Sequence, residues 1–378
     1  MNIEKEALNL HKKLRGKISV TSKHRITDAH DLSLVYTPGV AEVSRAIARD
    51  TSKAYDYTSK WNMVAIVTDG SRVLGLGNIG PEAALPVMEG KAVLFKQFGN
   101  VDAFPICLKT QDADEIIAIT ENISPSFGGI NVEDIDAPKC FYVEEELNKR
   151  LAMPVFHDDQ YGTGIVVLAA LINATALVDK AIAEARIAIA GAGAAGIGIA
   201  KLLHAYGARN IMLTDSKGVL HKGRTDLDQY KKRIAAITNP DGITAKDGVL
   251  KDADVFIGTS GVPGLLTARD VKTMGDKPIV FALTNPQPEI APAEAKKGGA
   301  YIVGTGRSDT PNQINNSLAF PGVFRGALDA RRKITLRAMV AAAEAIASLV
   351  DPRHDSIVPP MTHKGLLDAV ASAVKKNL

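Results

Sequence analysis

The chain has 378 residues, which at ~150 residues per domain makes two domains around a shared cleft the expected layout. Hydrophobic residues make up 46% and charged ones 23%, a globular composition that excludes a disordered, collagenous or fibrous protein. The net charge is only +3 and no block of five or six like charges occurs, so neither a nucleic acid nor a membrane surface is indicated as partner.

The first residues, Met1 to Lys17, carry charges every few positions and lack the apolar core of a signal peptide, while their spacing predicts an amphipathic helix over 3–14. An irregular basic stretch follows. The run Met63 to Val67, ending in Thr68-Asp69-Gly70, reads as a strand and turn, and Ala103 to Leu108 as a second strand that Pro105 confines to an edge. Cys107 and Cys140 are too few for a disulfide scaffold and have no zinc spacing, so they read as buried thiols in a reducing cytoplasm. From Ile165 to Val178 the chain is almost wholly apolar, too short to span a bilayer and suited to a buried helix.

Beyond residue 161 the texture changes. Five apolar runs, Arg186 to Ala190, Asn210 to Thr214, Asp254 to Gly258, Ile279 to Leu283 and Tyr301 to Gly304, alternate with helical segments, the pattern of a parallel sheet. Residues just after each run are then the ones placed at a ligand. An alanine-rich helix is expected over 333–350.

Two stretches match G-x-G-x-x-G. The second, Gly191-Ala192-Gly193-Ala194-Ala195-Gly196, follows a strand, opens a helix and is trailed nineteen residues later by Asp215 at the end of the next strand. That context marks a dinucleotide site: backbone N–H groups at the helix N-terminus face the pyrophosphate, and the acid faces the adenosine ribose. The first, Gly75 to Gly80, is followed by Pro81 rather than a clean helix, and reads as a turn shaping the cleft floor.

Two acidic pairs, Glu133-Asp134 and Asp158-Asp159, stand among apolar and turn-forming neighbours. They read either as solvated turns or as the oxygen ligands of a hard cation, Mg²⁺ or Mn²⁺, because clustered carboxylates resist ionisation without one. His157 reads as a packed histidine rather than a ligand. Lys91, in an apolar stretch, is a candidate base whose pKa burial and a nearby cation would lower toward neutrality, and Tyr36, in the rigid context Val35 to Val40, is a candidate acid.

Taken together, Tyr36-Thr37-Pro38-Gly39-Val40, the Gly75 to Gly80 stretch, Gly128 to Asp134, Phe156 to Gly164, Thr284-Asn285-Pro286 and Asn312 to Asn316 resemble the malic enzyme family from about residue 15 to 330. The resemblance implies a malate- and metal-binding mixed α/β domain over 1–161 and a Rossmann-like, doubly wound NAD(P) domain over 162–378. It implies oxidative decarboxylation of L-malate to pyruvate and CO₂. Glu133, Asp134 and Asp159 would hold the metal, Lys91 would act as base and Tyr36 as acid, and Asp158 would support Lys91 or the metal shell. Arg72, Asn285 and Asn316 would line the substrate pocket, Asn285 also meeting the cofactor. Asp215 favours NAD, although Lys217, Lys222, Arg224, Lys231 and Lys232 follow closely and could neutralise the 2′-phosphate of NADP. A cytoplasmic homodimer, in which one subunit completes the other's cleft, is also implied. The resemblance is to the compact bacterial and archaeal form, so control through a phosphotransacetylase-like extension is not expected. A malolactic-type decarboxylase, a different amino- or hydroxy-acid dehydrogenase, and a non-catalytic dinucleotide sensor are the competing readings.

Overall fold

In a computed structural model, which describes residues 3–245 and 247–378, the chain builds two sheets, parallel except for one short edge strand of the second, joined by a shared hydrophobic core, with a smaller core on the second sheet. The first sheet has the order β2-β1-β3-β4, from Met63–Thr68 (β1), Asp102–Cys107 (β2), Gly129–Val132 (β3) and Val155–His157 (β4). Pro105 lies in β2, the edge strand, where its missing N–H breaks no inner ladder. Parallel pairing with register Val67↔Val132 and Val132↔His157 brings the carboxyl ends of β1, β3 and β4 level with one another.

The second sheet runs β10-β9-β8-β5-β6-β7, from Arg186–Ala190 (β5), Asn210–Asp215 (β6), Gly218–Val219 (β7), Val255–Gly258 (β8), Ile279–Ala282 (β9) and Ile302–Thr305 (β10). Starting from β7, this is the doubly wound order 3-2-1-4-5-6, with the chain reversing direction of growth between β5 and β8. All five expected runs are strands. The position of the third strand is taken by β7, a two-residue antiparallel hairpin on β6 that the sequence reading did not contain.

Three helices refine the expectations. The apolar segment forms the helix Thr163–Leu177, entered through a π-helical turn, Asp158–Gly162. By length and composition Asp158–Leu177 passes as a membrane span, but 72% of it is buried, as in the core helix of a globular protein. The expected C-terminal helix is shorter, Leu336–Ala347, because the Thr335 hydroxyl caps its first turn. A clean helix, not expected after Gly75 to Gly80, does follow it: Pro81–Gly99 starts directly at Pro81, since a proline at the first helical position loses no hydrogen bond and its fixed φ suits the helix.

The helix Phe320–Ala330 returns from the second sheet to pack on the first. Phe320 and Phe324 contact Phe95 with ring centroids 4.6 and 5.2 Å apart, and Phe324 meets Phe156 edge-on. Residues 3–59, by contrast, hold four α-helices and not one buried side chain.

Candidate active site

The two sheets turn their carboxyl ends toward one cleft. A Cβ on Gly75 would stand 2.8 Å from the Asn285 carbonyl oxygen after β9, and one on Gly261 after β8 would stand 3.4 Å from the Arg72 guanidinium. The first glycine-rich loop therefore lies close against the loop after β9.

On the first sheet, Glu133 and Asp134 leave β3 beside Asp158 and Asp159, which leave β4. The π-helical turn lets two consecutive aspartates serve the same cleft, a use that recurs where such turns sit at functional sites. Lys91, in the middle of Pro81–Gly99, reaches between them: its Nζ lies 2.5 Å from Asp158 Oδ2 and 2.8 Å from Glu133 Oε1, with the Phe320 ring centroid 4.3 Å away. All three are buried. Asn131 donates to the other Glu133 oxygen at 2.7 Å, and the Asp134 N–H donates to Asp159 Oδ2 at 2.9 Å. His157 Nε2 stands 3.4 Å from that same Asp159 oxygen, so the histidine packs behind the carboxylates.

The electrostatics state a deficit of positive charge. Burial, only partly offset by Lys91, pushes the Glu133 carboxyl well above the usual range, and burial with the Asp159 charge pushes Asp134 up to about 8. Burial raises Asp158 as well, whereas at Asp159 burial is outweighed by His157 and the net shift is downward. For Lys91 the sequence reading expected a lowered pKa. Burial does act that way, but the Asp158 and Glu133 carboxylates outweigh it and hold the ammonium above its ordinary value.

A divalent cation fits these residues. One oxygen each from Glu133, Asp134 and Asp159 lies within 4.8 Å of the others, Asp134 Oδ2 is buried with no hydrogen-bond partner, and the donors are all oxygen, which selects a hard ion.

The dinucleotide loop follows β5. Gly191 has φ +112°, and a Cβ there would stand 2.5 Å from the Thr259 carbonyl oxygen, while one on Gly196 would stand 1.8 Å from the Gly191 oxygen; only glycine suits either place. Around Gly193 there is open space. The helix Ala194–Tyr206 has no side-chain cap, so the N–H groups of Ala194, Ala195 and Gly196 face outward past Ala192 and Gly193, as an approaching pyrophosphate requires. Gly198, one turn on, packs against the Gln160 carbonyl, which couples this helix to the turn carrying Asp158 and Asp159.

Of the other expected site residues, Asn316 lies against Gly162, the last residue of that turn, and the Arg72 N–H donates to the Asp134 carbonyl at 3.0 Å. The structure does not bring Tyr36 to the cluster. It caps the helix Ala29–Val35 with 68% of its surface exposed, and no hydrogen bond joins its hydroxyl to Lys91 or the carboxylates. One residue went unread. Glu289, fully buried, accepts from Ser260 N (2.9 Å) and Oγ (3.0 Å) and from Thr284 N (3.2 Å) and Oγ1 (2.5 Å), tying together the loops after β8 and β9. Standing after Asn285-Pro286-Gln287-Pro288, it reads as an exposed loop acid. Glu289→Ala is expected to lower stability by ~2–4 kcal/mol by stranding these donors and to weaken dinucleotide binding. Thermal melts and NADH titration check this, and an unchanged melting temperature would count against it.

A doubly wound nucleotide half and a lysine-carboxylate half facing it across a cleft mark a dinucleotide-dependent type of oxidoreductase. Comparison with known proteins is specific: residues 15–148 match the malic enzyme N-terminal domain and 160–378 the malic enzyme NAD-binding domain, and the chain belongs to the malic enzyme family. It is 54% identical to the bifunctional malic/malolactic enzyme of Bacillus subtilis over 100% of this chain and 93% of that one. It is 46% identical to the NADP-dependent malic enzyme of Halomonas elongata, over 97% and 92% of the two chains. The crystal structure of the NAD-dependent malic enzyme from Thermotoga maritima superposes with a TM-score of 0.96 at 49% identity, over 98% of this chain and 99% of that one.

Proposed function

We propose that the chain oxidatively decarboxylates L-malate to pyruvate and CO₂, reducing a nicotinamide dinucleotide, with a divalent cation held by Glu133, Asp134 and Asp159. The observation that carries this is the placement of Lys91 between Glu133 and Asp158, beside the all-oxygen ligand set. When bound, the cation polarises the C2 oxygen and offsets the carboxylate charge, and the nicotinamide accepts hydride. With the carboxylate charge offset in this way, Lys91 would pass its ammonium proton to solvent and, as the neutral amine, take the C2 hydroxyl proton as hydride leaves C2. Asp158 and Glu133 keep its Nζ in place. Arg72, Asn285 and Asn316 orient the malate carboxylates, and loss of CO₂ leaves an enol that Tyr36 of a second copy, completing the cleft across the proposed dimer, protonates at C3, since within one chain Tyr36 stands exposed and away from the cluster.

The test is reduction at 340 nm with L-malate and Mn²⁺, NAD and NADP in parallel, repeated with EDTA and with pyruvate measured. EDTA-sensitive pyruvate formation is expected, whereas a signal indifferent to EDTA would refute the cation's part. The malolactic reading is favoured by the Bacillus subtilis relative, whose name joins both activities. Lactate formed without free NADH would establish it.

The homodimer belongs to the same proposal. No residue of 3–59 is buried within one chain, and Leu32, Leu34, Val35 and Tyr36 are all exposed, apolar surface suited to a second copy. Light scattering should give twice the chain mass. Tyr36→Phe is expected to keep dinucleotide and Mn²⁺ affinity while lowering kcat ~10²-fold or more. Full turnover in that variant would remove Tyr36 from the reaction.

A further inference from the structure

The turn after β1, Asp69 to Arg72, is held at every residue. Asp69, fully buried, accepts the Ser71 N–H at 2.9 Å on one carboxylate oxygen and pairs with the Lys139 ammonium through the other. The Gly70 carbonyl accepts from the Ile79 and Gly80 N–H groups, each at 3.2 Å, Ser71 Oγ accepts the Asp136 N–H at 2.8 Å, and the Arg72 N–H donates to the Asp134 carbonyl. The Arg72 guanidinium is the exception. It is exposed, makes no hydrogen bond or ion pair among the described residues, and lies 3.4 Å from where a Cβ on Gly261 would stand, at the loop after β8. A fixed backbone thus carries one side chain whose donors are all left for a ligand.

Lys139 is what fixes it. It is the first residue of the helix Lys139–Arg150, where a cation opposes the helix dipole, so its place calls for a specific partner. Its Nζ joins three turns: its own after β3, the one after β1 through Asp69, and the one after β2 through the Gln111 carbonyl at 3.0 Å. Gln111 exchanges amide hydrogen bonds of 3.0 and 2.9 Å with Asn78, in the first glycine-rich loop, which continues directly from Arg72. Buried ion pairs are weak sources of net stability, so the role that suits this one is to fix geometry.

We infer that Lys139, acting through Asp69, is a positioning residue for the substrate, setting where the Arg72 guanidinium meets a malate carboxylate. The inference rests on the proposed reaction and extends it to two residues that touch no reacting atom. Because the Arg72 N–H and the Asp136 N–H tie this turn to the one bearing Asp134, a shift at Asp69 moves Arg72 relative to the carboxylate cluster.

The test is steady-state reduction at 340 nm with saturating Mn²⁺, varying L-malate and the dinucleotide separately. Lys139→Gln is expected to raise KM for malate about tenfold, with kcat within about threefold of the parent and KM for the dinucleotide unchanged, the signature of a displaced substrate contact. Asp69→Asn, which keeps an acceptor for the Ser71 N–H and leaves no buried carboxylate unpaired, should do the same, so the test survives if Lys139→Gln does not fold. Lys139→Arg, which keeps the cation, should stay close to the parent. Arg72→Ala supplies the deciding comparison. If Lys139 acts through Arg72, adding Lys139→Gln to Arg72→Ala leaves KM for malate where Arg72→Ala put it, whereas a merely structural role adds its own factor. An unchanged KM for malate in Lys139→Gln or Asp69→Asn, or a full extra factor in the double variant, overturns the inference. If the parent turns over malate in that case, the proposed reaction stands and only this inference fails; a parent that forms no pyruvate refutes the reaction and the inference with it.

Discussion

Lys91→Met is expected to lower malate turnover by ~10²–10⁴-fold, the usual contribution of a positioned acid-base group, while NADH still binds. A second consequence separates this residue from a merely catalytic one. With the ammonium gone, Glu133 and Asp158 are left buried without the cation they share, and breaking a buried pair in this way typically destabilises by ~3–5 kcal/mol. The variant should therefore melt well below the parent in EDTA and recover more than the parent does on adding Mn²⁺, because the ion resupplies positive charge to the same carboxylates. Thermal melts with and without Mn²⁺ read this directly. Undiminished malate oxidation would exclude Lys91 as the base, and a melting temperature equal to the parent's in EDTA would contradict the electrostatic account.

Asp159→Asn is expected to be as severe by a different route. Asp159 is the one carboxylate of the set whose surroundings favour ionisation, through His157 and the Asp134 N–H, so it is the group ready to meet a cation without first losing a proton. Removing it should weaken Mn²⁺ binding by more than the ~10–100-fold that loss of an outer partner of a metal ligand costs. Titration of free Mn²⁺ by its electron paramagnetic resonance signal measures this, with malate turnover at saturating Mn²⁺ as companion. His157→Asn, which leaves the oxygen set intact, should fall within that outer-partner range. If Asp159→Asn binds Mn²⁺ as the parent does, the cation lies elsewhere and the carboxylates are structural.

Much of this was legible in the chain itself. The glycine-rich loop after β5, with Asp215 at the end of β6, is legible from spacing alone, because strand, turn, helix and acid lie within 30 residues and are governed by local backbone geometry. The five parallel strands of the second sheet were visible for the same reason. Both acidic pairs could be seen, yet whether they were solvated turns or one cluster could not, since 25 residues separate Asp134 from Asp159 and only parallel pairing of β3 with β4 sets them together.

What the tertiary structure alone decided concerns charge and partnership. The sequence carries Lys91, but its pKa depends on which groups crowd it, and two carboxylates within 2.8 Å reverse the direction that burial by itself would give. Asp215 and the basic residues after it are both plain in the sequence, but that Arg224 and Lys231 take up its lone pairs is seen only in the packed structure. Glu289 gave no signal because its four donors come from loops that follow two different strands. Backbone conformation is set by neighbours in the chain and so can be read from order and spacing. The ionisation and hydrogen bonding of a buried group are set by neighbours in space, which only the packed sheets and their returning helix bring together.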